Sequence, residues 1–230
     1  MDSTPQKVKV TINGRSIEVE QDTTIVQAAE QLRIHIPTLC YNENLAPYGV
    51  CRVCMVEIDD GRRKRMVPSC AFPIRREISV STNNERVRRI RRSVLQLLLA
   101  RCPNEPVVKK LAAEYGVDAP HPRMLIKDDD CILCGLCVRT CQQIVGVAAI
   151  GFEGRGYERR VVPPYDEQNS QCLACGACAY VCPTQCIDFS TSGDLHKLER
   201  WHRDLDVSKL PEAERGRYNA FLGNFFKDKM

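Results

Sequence analysis

The stretch that decides the fold reads Cys131-Ile-Leu-Cys134-Gly-Leu-Cys137-Val-Arg-Thr-Cys141, and it recurs as Cys172-Leu-Ala-Cys175-Gly-Ala-Cys178-Ala-Tyr-Val-Cys182. Both copies have the spacing C-x2-C-x2-C-x3-C, so the chain contains an internal repeat. Three thiolates from one tight loop and a fourth from elsewhere are what a cubane iron–sulfur core requires. In proteins with two such runs, the fourth cysteine of each run ligates the other cluster.

The repeat therefore predicts two 4Fe-4S sites with crossed ligation. One takes Cys131, Cys134, Cys137 and Cys182, and the other takes Cys172, Cys175, Cys178 and Cys141. Gly135 and Gly176 lack side chains, which lets backbone N–H groups approach the sulfurs. Zinc is the competing interpretation, but zinc sites favour two C-x2-C pairs separated by a dozen or more residues. Three thiolates in one short loop are too crowded for that arrangement.

A third set of cysteines lies in the N-terminal part of the chain, at Cys40, Cys51, Cys54 and Cys70. A 2Fe-2S cluster also needs four thiolates, several from one loop and one from a later strand. The plant-type spacing is C-x4-C-x2-C, and this chain has ten residues where four are usual. The competing interpretation, a set of buried free cysteines, is weakened by the short spacing of Cys51 and Cys54 in a turn-rich segment.

Composition favours metal ligation over disulfides. The chain has 230 residues, 14 of them cysteine, and a formal net charge of +4. It shows no signal peptide and no apolar run long enough to span a bilayer, so a cytoplasmic location with reduced thiols is expected. Two residues stand outside the three sets, Cys102 and Cys186, and both are expected to be packing thiols because nothing in their spacing indicates a ligand.

The patterning predicts an α+β fold in four parts. Residues 1–82 form a small β-grasp domain, with alternating apolar residues on either side of an Asn13-Gly14 turn and a helix between Asp22 and Ile34. Residues 83–127 form a helical connector, and residues 128–190 form the two-cluster domain with a β-hairpin between the cysteine runs. Residues 191–230 form a docking tail in which Leu195, Leu198, Trp201 and Leu205 indicate a short amphipathic helix.

The connector begins with a basic helix from Asn83 to Arg101. Its predicted apolar stripe is Val87, Ile90, Val94, Leu97, Leu98 and Arg101, with five arginines on the remaining surface, Arg86, Arg88, Arg89, Arg91 and Arg92. Between Gly61 and Arg101 there are twelve Arg or Lys residues against two acidic ones. Nucleic acid would be the usual partner of such a stretch, but the accompanying aromatic residues are absent, so docking to an acidic partner subunit and compensation of cluster charge are favoured.

The motifs Leu39-Cys40-Tyr41 and Gly49-Val-Cys51-Arg-Val-Cys54, the Cys70 segment and the arginine-rich helix resemble one family. It comprises the N-terminal region of the large iron–sulfur subunit of complex I, the small diaphorase subunits of NAD-linked hydrogenases, iron-only hydrogenases and some formate dehydrogenases. The resemblance covers residues 7 to about 190. Most relatives carry a further cluster, bound by one histidine and three cysteines, after the helix. Here only Cys102 is found there, with His121 nineteen residues later, so that cluster is expected to be absent.

The sequence therefore predicts a non-catalytic electron-relay subunit with one 2Fe-2S and two 4Fe-4S clusters. The resemblance implies a hetero-oligomer with catalytic redox subunits that act on NAD(P)H through flavin, on formate through molybdenum or tungsten, or on hydrogen. Alternatives are a free soluble ferredoxin-type carrier, an iron–sulfur subunit like that of succinate dehydrogenase or fumarate reductase, and a regulatory DNA-binding protein. The long loop after Cys40 and the intact second cysteine run disfavour the succinate dehydrogenase type.

Overall fold

The computed structural model describes residues 6–166, 171–173 and 175–187. These residues belong to two compact units. The first contains the chain up to Tyr41 together with Pro47–Cys134, and the second contains Asn42–Ala46 together with the residues from Gly135 onward. Both units combine helices with strands, which agrees with the predicted α+β class.

The first unit is built on a five-stranded mixed sheet. Its strands are β1 (Lys7–Ile12), β2 (Arg15–Glu20), β3 (Met55–Asp59), β4 (Lys64–Pro68) and β5 (Ile78–Ser81). Their spatial order is β2-β1-β5-β3-β4, with β1 and β5 parallel and the other pairs antiparallel. Strands β1 and β2 are the predicted pair on either side of the Asn13-Gly14 turn. The run of basic residues in β4 hides its alternation.

Local sequence explains the first hairpin and the helix that covers the sheet. Asn13 and Gly14 adopt positive φ angles of 50° and 81°, as the tight turn between β1 and β2 requires. Helix α1 (Ile25–Gln31) is shorter than the predicted span. Thr24 caps it through a reciprocal arrangement with Gln27. The apolar side chains of α1 and of the sheet form the core of this unit.

Helix α2 (Glu85–Arg101) ends at the predicted residue, begins two residues after the predicted start at Asn83, and buries a different face. The residues it buries include Val87, Arg91, Leu95 and Leu99, which are spaced four apart, whereas Leu97 is 57% exposed. The prediction that Arg91 lies on the solvated surface and Leu97 in the core was therefore wrong. An arginine can occupy a buried position when its guanidinium meets fixed acceptors, and hydropathy does not register this. Helix α3 (Pro106–Glu114) follows.

The second unit consists of short elements. They are α4 (Leu136–Thr140), a π-helical turn (Cys141–Val145), β6 (Gly151–Glu153), a 3-10 turn (Gly156–Glu158), β7 (Arg160–Val162), a second 3-10 turn (Pro164–Asp166) and α5 (Ala177–Tyr180). Strands β6 and β7 pair antiparallel, as predicted, but each has only three residues. The amphipathic helix predicted around Trp201 lies outside the described residues. In the part of the chain that is described, no helix is both long enough and apolar enough to cross a membrane.

Candidate iron–sulfur sites

The β3–β4 hairpin brings two of the predicted ligands together. Met55 pairs with Pro68 at the open end of this hairpin, so Cys54 and Ser69 directly face each other beyond the last pair. The Ser69 N–H donates to the Cys54 carbonyl at 3.1 Å. As a result, the Cys54 and Cys70 sulfurs are 3.2 Å apart, although fifteen residues separate them in the sequence.

The other two cysteines of this set lie in the loop between α1 and β3. The Cys51 N–H donates to the Cys40 Sγ at 3.5 Å. All four sulfur-bearing residues are buried, with exposed fractions of 2% for Cys40, 8% for Cys51, 1% for Cys54 and 1% for Cys70. Their surroundings exclude water, which is the condition under which protein hydrogen bonds and charges act most strongly on a cluster.

The thiols of this set are linked by hydrogen bonds that shift their pKa values in opposite directions. Hydrogen bonds from Cys51 and then Cys70 lower the pKa of Cys40 to about 2, although burial opposes this. The hydrogen bond from Cys70 lowers the pKa of Cys54 to about 6. The pKa values of the two donors, Cys51 and Cys70, shift upward. The hydrogen bond to Cys40 raises both values, and burial raises them further. Each thiol therefore interacts with another of the set, and the pKa values of Cys40 and Cys54 are shifted toward the thiolate, the form that ligates metal.

The contacts among these thiols involve the whole set. Within the described ranges, no three His, Cys, Asp or Glu side chains are arranged to hold one metal ion. The contacts instead run through all four thiols, from Cys51 to Cys40, from Cys40 to Cys70 and from Cys70 to Cys54. A second sign is the Ser69 hydroxyl, which is fully buried and has no hydrogen-bond partner among the described residues. An unpaired buried hydroxyl is costly, so its presence beside the sulfurs fits a site built around a further acceptor.

Glycine is required in the long loop between Cys40 and Cys51. Gly49 has a φ of +66°, and a Cβ atom there would come within 3.1 Å of the Ala71 Cβ. Ala71 follows Cys70, so this glycine permits the loop to approach the segment that carries the fourth ligand. Arg52, between two ligands, also adopts a positive φ of 59°. Gly49 is therefore required both for its backbone conformation and for the close approach to Ala71.

Four thiols of the second unit form another group. Burial, with the charges of Cys178, Cys141 and Cys172, raises the pKa of Cys175 to about 11. Burial first, and then the charges of Cys172 and Cys141, also raises the pKa of Cys178. Cys141 is thus within electrostatic range of thiols that lie more than thirty residues later in the chain. These charge effects link the four cysteines of one predicted crossed set.

The two halves of the repeat have the same local geometry. Gly135 and Gly176 precede α4 and α5 with φ angles of 73° and 71°, a left-handed conformation that glycine adopts without strain. In each half the carbonyl of this glycine accepts the first helical hydrogen bond at 3.0 Å, from Arg139 and from Tyr180. The sequence repeat is therefore also a structural repeat, and each glycine is needed for its conformation.

Cys131 and Cys134 belong to the first unit, where Arg101 holds the first of them. The Arg101 Nε donates to the Cys131 carbonyl at 2.6 Å, and its Nη2 donates to Asp129 at 2.6 Å. Asp129 in turn accepts the Cys131 N–H at 3.1 Å, and the Leu133 N–H donates to the Cys131 Sγ at 3.4 Å. The sequence pattern placed Arg101 on an apolar stripe and missed this role, although the acidic run before Cys131 was a visible signal.

Cys137 and Cys182 belong to the second unit. Cys137 is buried on α4, and Cys182 follows α5. The Cys182 Sγ lies 3.6 Å from the Cys186 Sγ and 3.5 Å from the Thr184 hydroxyl, so Cys186 is packed beside a predicted ligand. The contact with Cys186 and burial raise the pKa of Cys182 to about 12. Cys102 is fully buried at the end of α2, in agreement with a packing thiol.

Residues Asn42–Ala46 pack within the second unit. Arg139, on α4, donates through Nη1 to the Ala46 carbonyl at 2.7 Å, and the Gln143 side-chain oxygen accepts the Ala46 N–H at 3.0 Å. Leu45 is 5% exposed. Arg139 and Gln143 flank Cys141 in sequence and fix this segment, a function that their spacing alone did not indicate.

Two family comparisons match these two regions separately. Residues 5–85 match the family described as 2Fe-2S iron-sulfur cluster binding domain, and residues 124–189 match the family described as 4Fe-4S dicluster domain. The first range contains Cys40, Cys51, Cys54 and Cys70, and the second contains both cysteine runs. The predicted order of a 2Fe-2S domain followed by a two-cluster 4Fe-4S domain is therefore confirmed.

Similar proteins share both regions. The chain is 35% identical over 200 residues to the NADPH-Fe(3+) oxidoreductase subunit alpha of Geobacter sulfurreducens, and the match covers 77% of this chain and 23% of that protein. It is 34% identical over 206 residues to the NADP-reducing hydrogenase subunit HndD of Solidesulfovibrio fructosivorans, and this match covers 76% of this chain and 35% of that protein. It is 30% identical over 202 residues to the mitochondrial NADH-ubiquinone oxidoreductase 78 kDa subunit of Candida albicans, with 77% and 28% covered.

The fold of this chain is also similar to that of a chain in a solved structure. A chain in the crystal structure of an NAD+-reducing [NiFe]-hydrogenase in the H2-reduced state superimposes with a TM-score of 0.57 and 27% identity, over 68% of this chain and 75% of that one. The chain spans between 23% and 35% of the length of the three curated relatives. The chain thus carries a 2Fe-2S iron-sulfur cluster binding domain and a 4Fe-4S dicluster domain, and it is similar to subunits of an NADPH-Fe(3+) oxidoreductase, an NADP-reducing hydrogenase and a mitochondrial NADH-ubiquinone oxidoreductase.

Proposed function

We propose that this chain is the electron-relay subunit of a multi-subunit oxidoreductase and holds one 2Fe-2S and two 4Fe-4S clusters. The observation that carries the proposal is the presence, on one chain, of two separate groups of four interacting thiols, one in each matched domain. When bound, each cluster accepts and returns single electrons. The protein's own residues hold the clusters, exclude water from them and direct hydrogen bonds at their sulfurs.

The 2Fe-2S cluster is assigned to Cys40, Cys51, Cys54 and Cys70. Contacts link all four thiols, because Cys40 interacts with Cys51 and with Cys70, and Cys70 interacts with Cys54. Burial of all four residues and these contacts support ligation of one compact cluster.

The 4Fe-4S clusters are assigned to the crossed sets. Cys172, Cys175, Cys178 and Cys141 form one set, which is supported by the mutual charge effects among these thiols. Cys131, Cys134, Cys137 and Cys182 form the other, which is supported by the repeat and by the arrangement of Arg101 and Asp129 around Cys131.

Backbone N–H groups are directed at the ligand sulfurs in every set. Cys51 donates to the Cys40 Sγ, Leu133 to the Cys131 Sγ at 3.4 Å, and Ala149 to the Cys141 Sγ at 3.2 Å. Such hydrogen bonds stabilise negative charge on sulfur and raise the reduction potential of a cluster. No residue is assigned a catalytic role, so the chemistry on the substrate belongs to a partner.

The partner is proposed to be a catalytic subunit that acts on NAD(P)H, formate or hydrogen, within a cytoplasmic hetero-oligomer. The four-part division at residues 82, 127 and 190 remains part of this proposal, including the docking role of residues 191–230, which rests on sequence alone.

Helix α2 offers a second docking surface. Leu97 is 57% exposed, Leu125 is 82% exposed and Ile126 is 57% exposed. The next residue, Lys127, donates its backbone N–H to the carbonyl of Ala100 on α2. An apolar patch beside exposed arginines suits a partner with an acidic rim.

Cluster content is the first test. We expect the anaerobically purified chain to show one 2Fe-2S and two 4Fe-4S signals by electron paramagnetic resonance and Mössbauer spectroscopy. Cys70→Ala should lose two irons and only the 2Fe-2S signal, whereas Cys102→Ala, the matched control at a fully buried cysteine outside the sets, should retain every signal. Loss of iron in Cys102→Ala, or full retention in Cys70→Ala, would contradict the ligand assignment.

Anaerobic affinity purification from the native host tests the subunit role. A stoichiometric flavin, pterin or hydrogenase subunit that co-purifies would support the relay, and the cofactor of that subunit would identify the substrate. A chain that purifies alone, monomeric and with its clusters intact, would instead establish the free soluble carrier.

A further inference from the structure

Ser69 has an unusually well-fixed backbone for a residue next to a proposed ligand. Its N–H donates to the Cys54 carbonyl at 3.1 Å, and its carbonyl accepts the Val26 N–H, at the start of α1, at 3.2 Å. Two elements therefore hold it, the end of the β3–β4 hairpin and α1. The side chain has little freedom to turn toward solvent, and Ser69 is fully buried.

Its hydroxyl is the only polar atom of Ser69 left without a partner among the described residues. Leaving a buried hydroxyl unpaired costs about 1–3 kcal/mol, and an alanine at this position would avoid that cost. Cysteines lie on both sides of this hydroxyl, because Ser69 directly precedes Cys70 in the sequence and its backbone N–H donates to the Cys54 carbonyl. A hydroxyl that stabilises a thiolate does so by donating its proton in a hydrogen bond.

We propose that the Ser69 hydroxyl donates a hydrogen bond to a sulfur of the 2Fe-2S site and thereby sets its reduction potential. Ser69 is a positioning and tuning residue and not a ligand, and the inference rests on the proposed function because it assumes that Cys54 and Cys70 ligate this cluster. The reduced cluster carries one more negative charge than the oxidised one. A donor to sulfur therefore stabilises the reduced form more and raises the potential.

Redox titration of the complete, anaerobically purified chain tests this inference. The midpoint potential of the 2Fe-2S signal is followed by electron paramagnetic resonance in the wild type, Ser69→Ala, Ser69→Thr and Ser93→Ala. The last is the matched control, because Ser93 is an exposed serine whose hydroxyl bonds to the Arg89 carbonyl. We expect Ser69→Ala to keep its iron and shift the 2Fe-2S potential downward, with both 4Fe-4S potentials unchanged. Ser69→Thr, which keeps the donor, and Ser93→Ala should match the wild type.

A spectroscopic signature separates tuning from packing. Hyperfine spectroscopy before and after exchange into heavy water should show the Ser69 hydroxyl proton in addition to the Cys51 N–H, and the signal of one exchangeable proton should be lost in Ser69→Ala. An unchanged potential in Ser69→Ala with full iron content would overturn the inference. Loss of two irons from Ser69→Ala would also overturn it, because the residue would then be structural. Absence of a 2Fe-2S signal from the wild type would instead overturn the proposed function, so the two failures are distinguishable.

Discussion

Replacing Arg91 with methionine tests how the buried face of α2 is held. Arg91 is 2% exposed. Its Nη1 donates to the Tyr115 hydroxyl at 2.7 Å, its Nη2 donates to the Met55 carbonyl at 2.8 Å, and its guanidinium lies 5.6 Å from the centre of the Tyr115 ring. The side chain therefore ties α2 to the residue after α3 and to the first residue of β3. Methionine keeps most of the volume and removes both hydrogen bonds.

The expected cost follows from what each partner loses. The Met55 carbonyl would lose a bond from a charged donor, which is worth about 1.5–3 kcal/mol. Tyr115 is only half-buried, so its hydroxyl can bond to water instead. Loss of the hydrogen bond from Arg91 to this hydroxyl therefore adds about 1 kcal/mol. Relief of the buried charge offsets part of this, because Arg91 has neutral partners only. A net destabilisation of about 3 kcal/mol corresponds to an apparent melting temperature about 6–12 °C lower for a chain of this size.

Anaerobic thermal unfolding at one fixed scan rate, followed by circular dichroism, measures this effect, because cluster loss makes the transition irreversible. Arg89→Met is the control on the same helix, where the side chain is exposed and the expected change is within about 0.5 kcal/mol. The double variant with Tyr115→Phe should be less destabilised than the sum of the single variants, since the two residues share a bond. An Arg91→Met protein that melts with the wild type would refute the buried role of this arginine.

Three further variants test the sites and the docking surface. Arg101→Met should release the 4Fe-4S cluster of the first run faster under air, measured by the loss of visible absorbance, and should leave the 2Fe-2S signal in place; simultaneous loss of all signals would contradict this. Gly49→Ala should destabilise the protein by about 2–3 kcal/mol, against about 1 kcal/mol for Gly61→Ala, because both glycines have positive φ but only the first has a close neighbour. Equal melting temperatures for the two would contradict that reason. Leu97→Asp should reduce the recovery of the partner at least tenfold in affinity purification, whereas the exposed Ser93→Asp control should not.

The sequence predicted best what depends on local spacing. The cysteine runs, the Asn13-Gly14 turn and the C-terminal end of α2 need only the neighbouring residues, and the structure and the family matches agree with them. The buried face of α2 could not be predicted from neighbouring residues alone. Two apolar stripes run along this helix, and periodicity cannot choose between them, because the choice depends on which stripe meets the sheet. The placement of Arg91 follows from two acceptors that are remote in sequence.

The residues that surround the proposed ligands could not be predicted from the sequence for the same reason. Ser69 faces Cys54 only through the register of β3 and β4, and Arg101 reaches Cys131 across thirty residues of chain. Polarity patterns report whether a residue prefers water, whereas these side chains are determined by one or two specific acceptors that tertiary packing supplies.

Helix α2 connects two of the proposed cluster sites within the first unit. Near its middle, Arg91 bonds to the carbonyl of Met55, the residue after the proposed 2Fe-2S ligand Cys54. At its end, Arg101 bonds to the carbonyl of Cys131, the first ligand of the repeat. Ten residues separate the two arginines, which is about 15 Å along a helix axis. Because a helix does not change its length, the spacing between the two attachment points is fixed by the covalent sequence. A connector that served only as a linker would not require buried or half-buried arginines at both points, so α2 is best understood as the element that sets the distance between the 2Fe-2S domain and the start of the 4Fe-4S repeat.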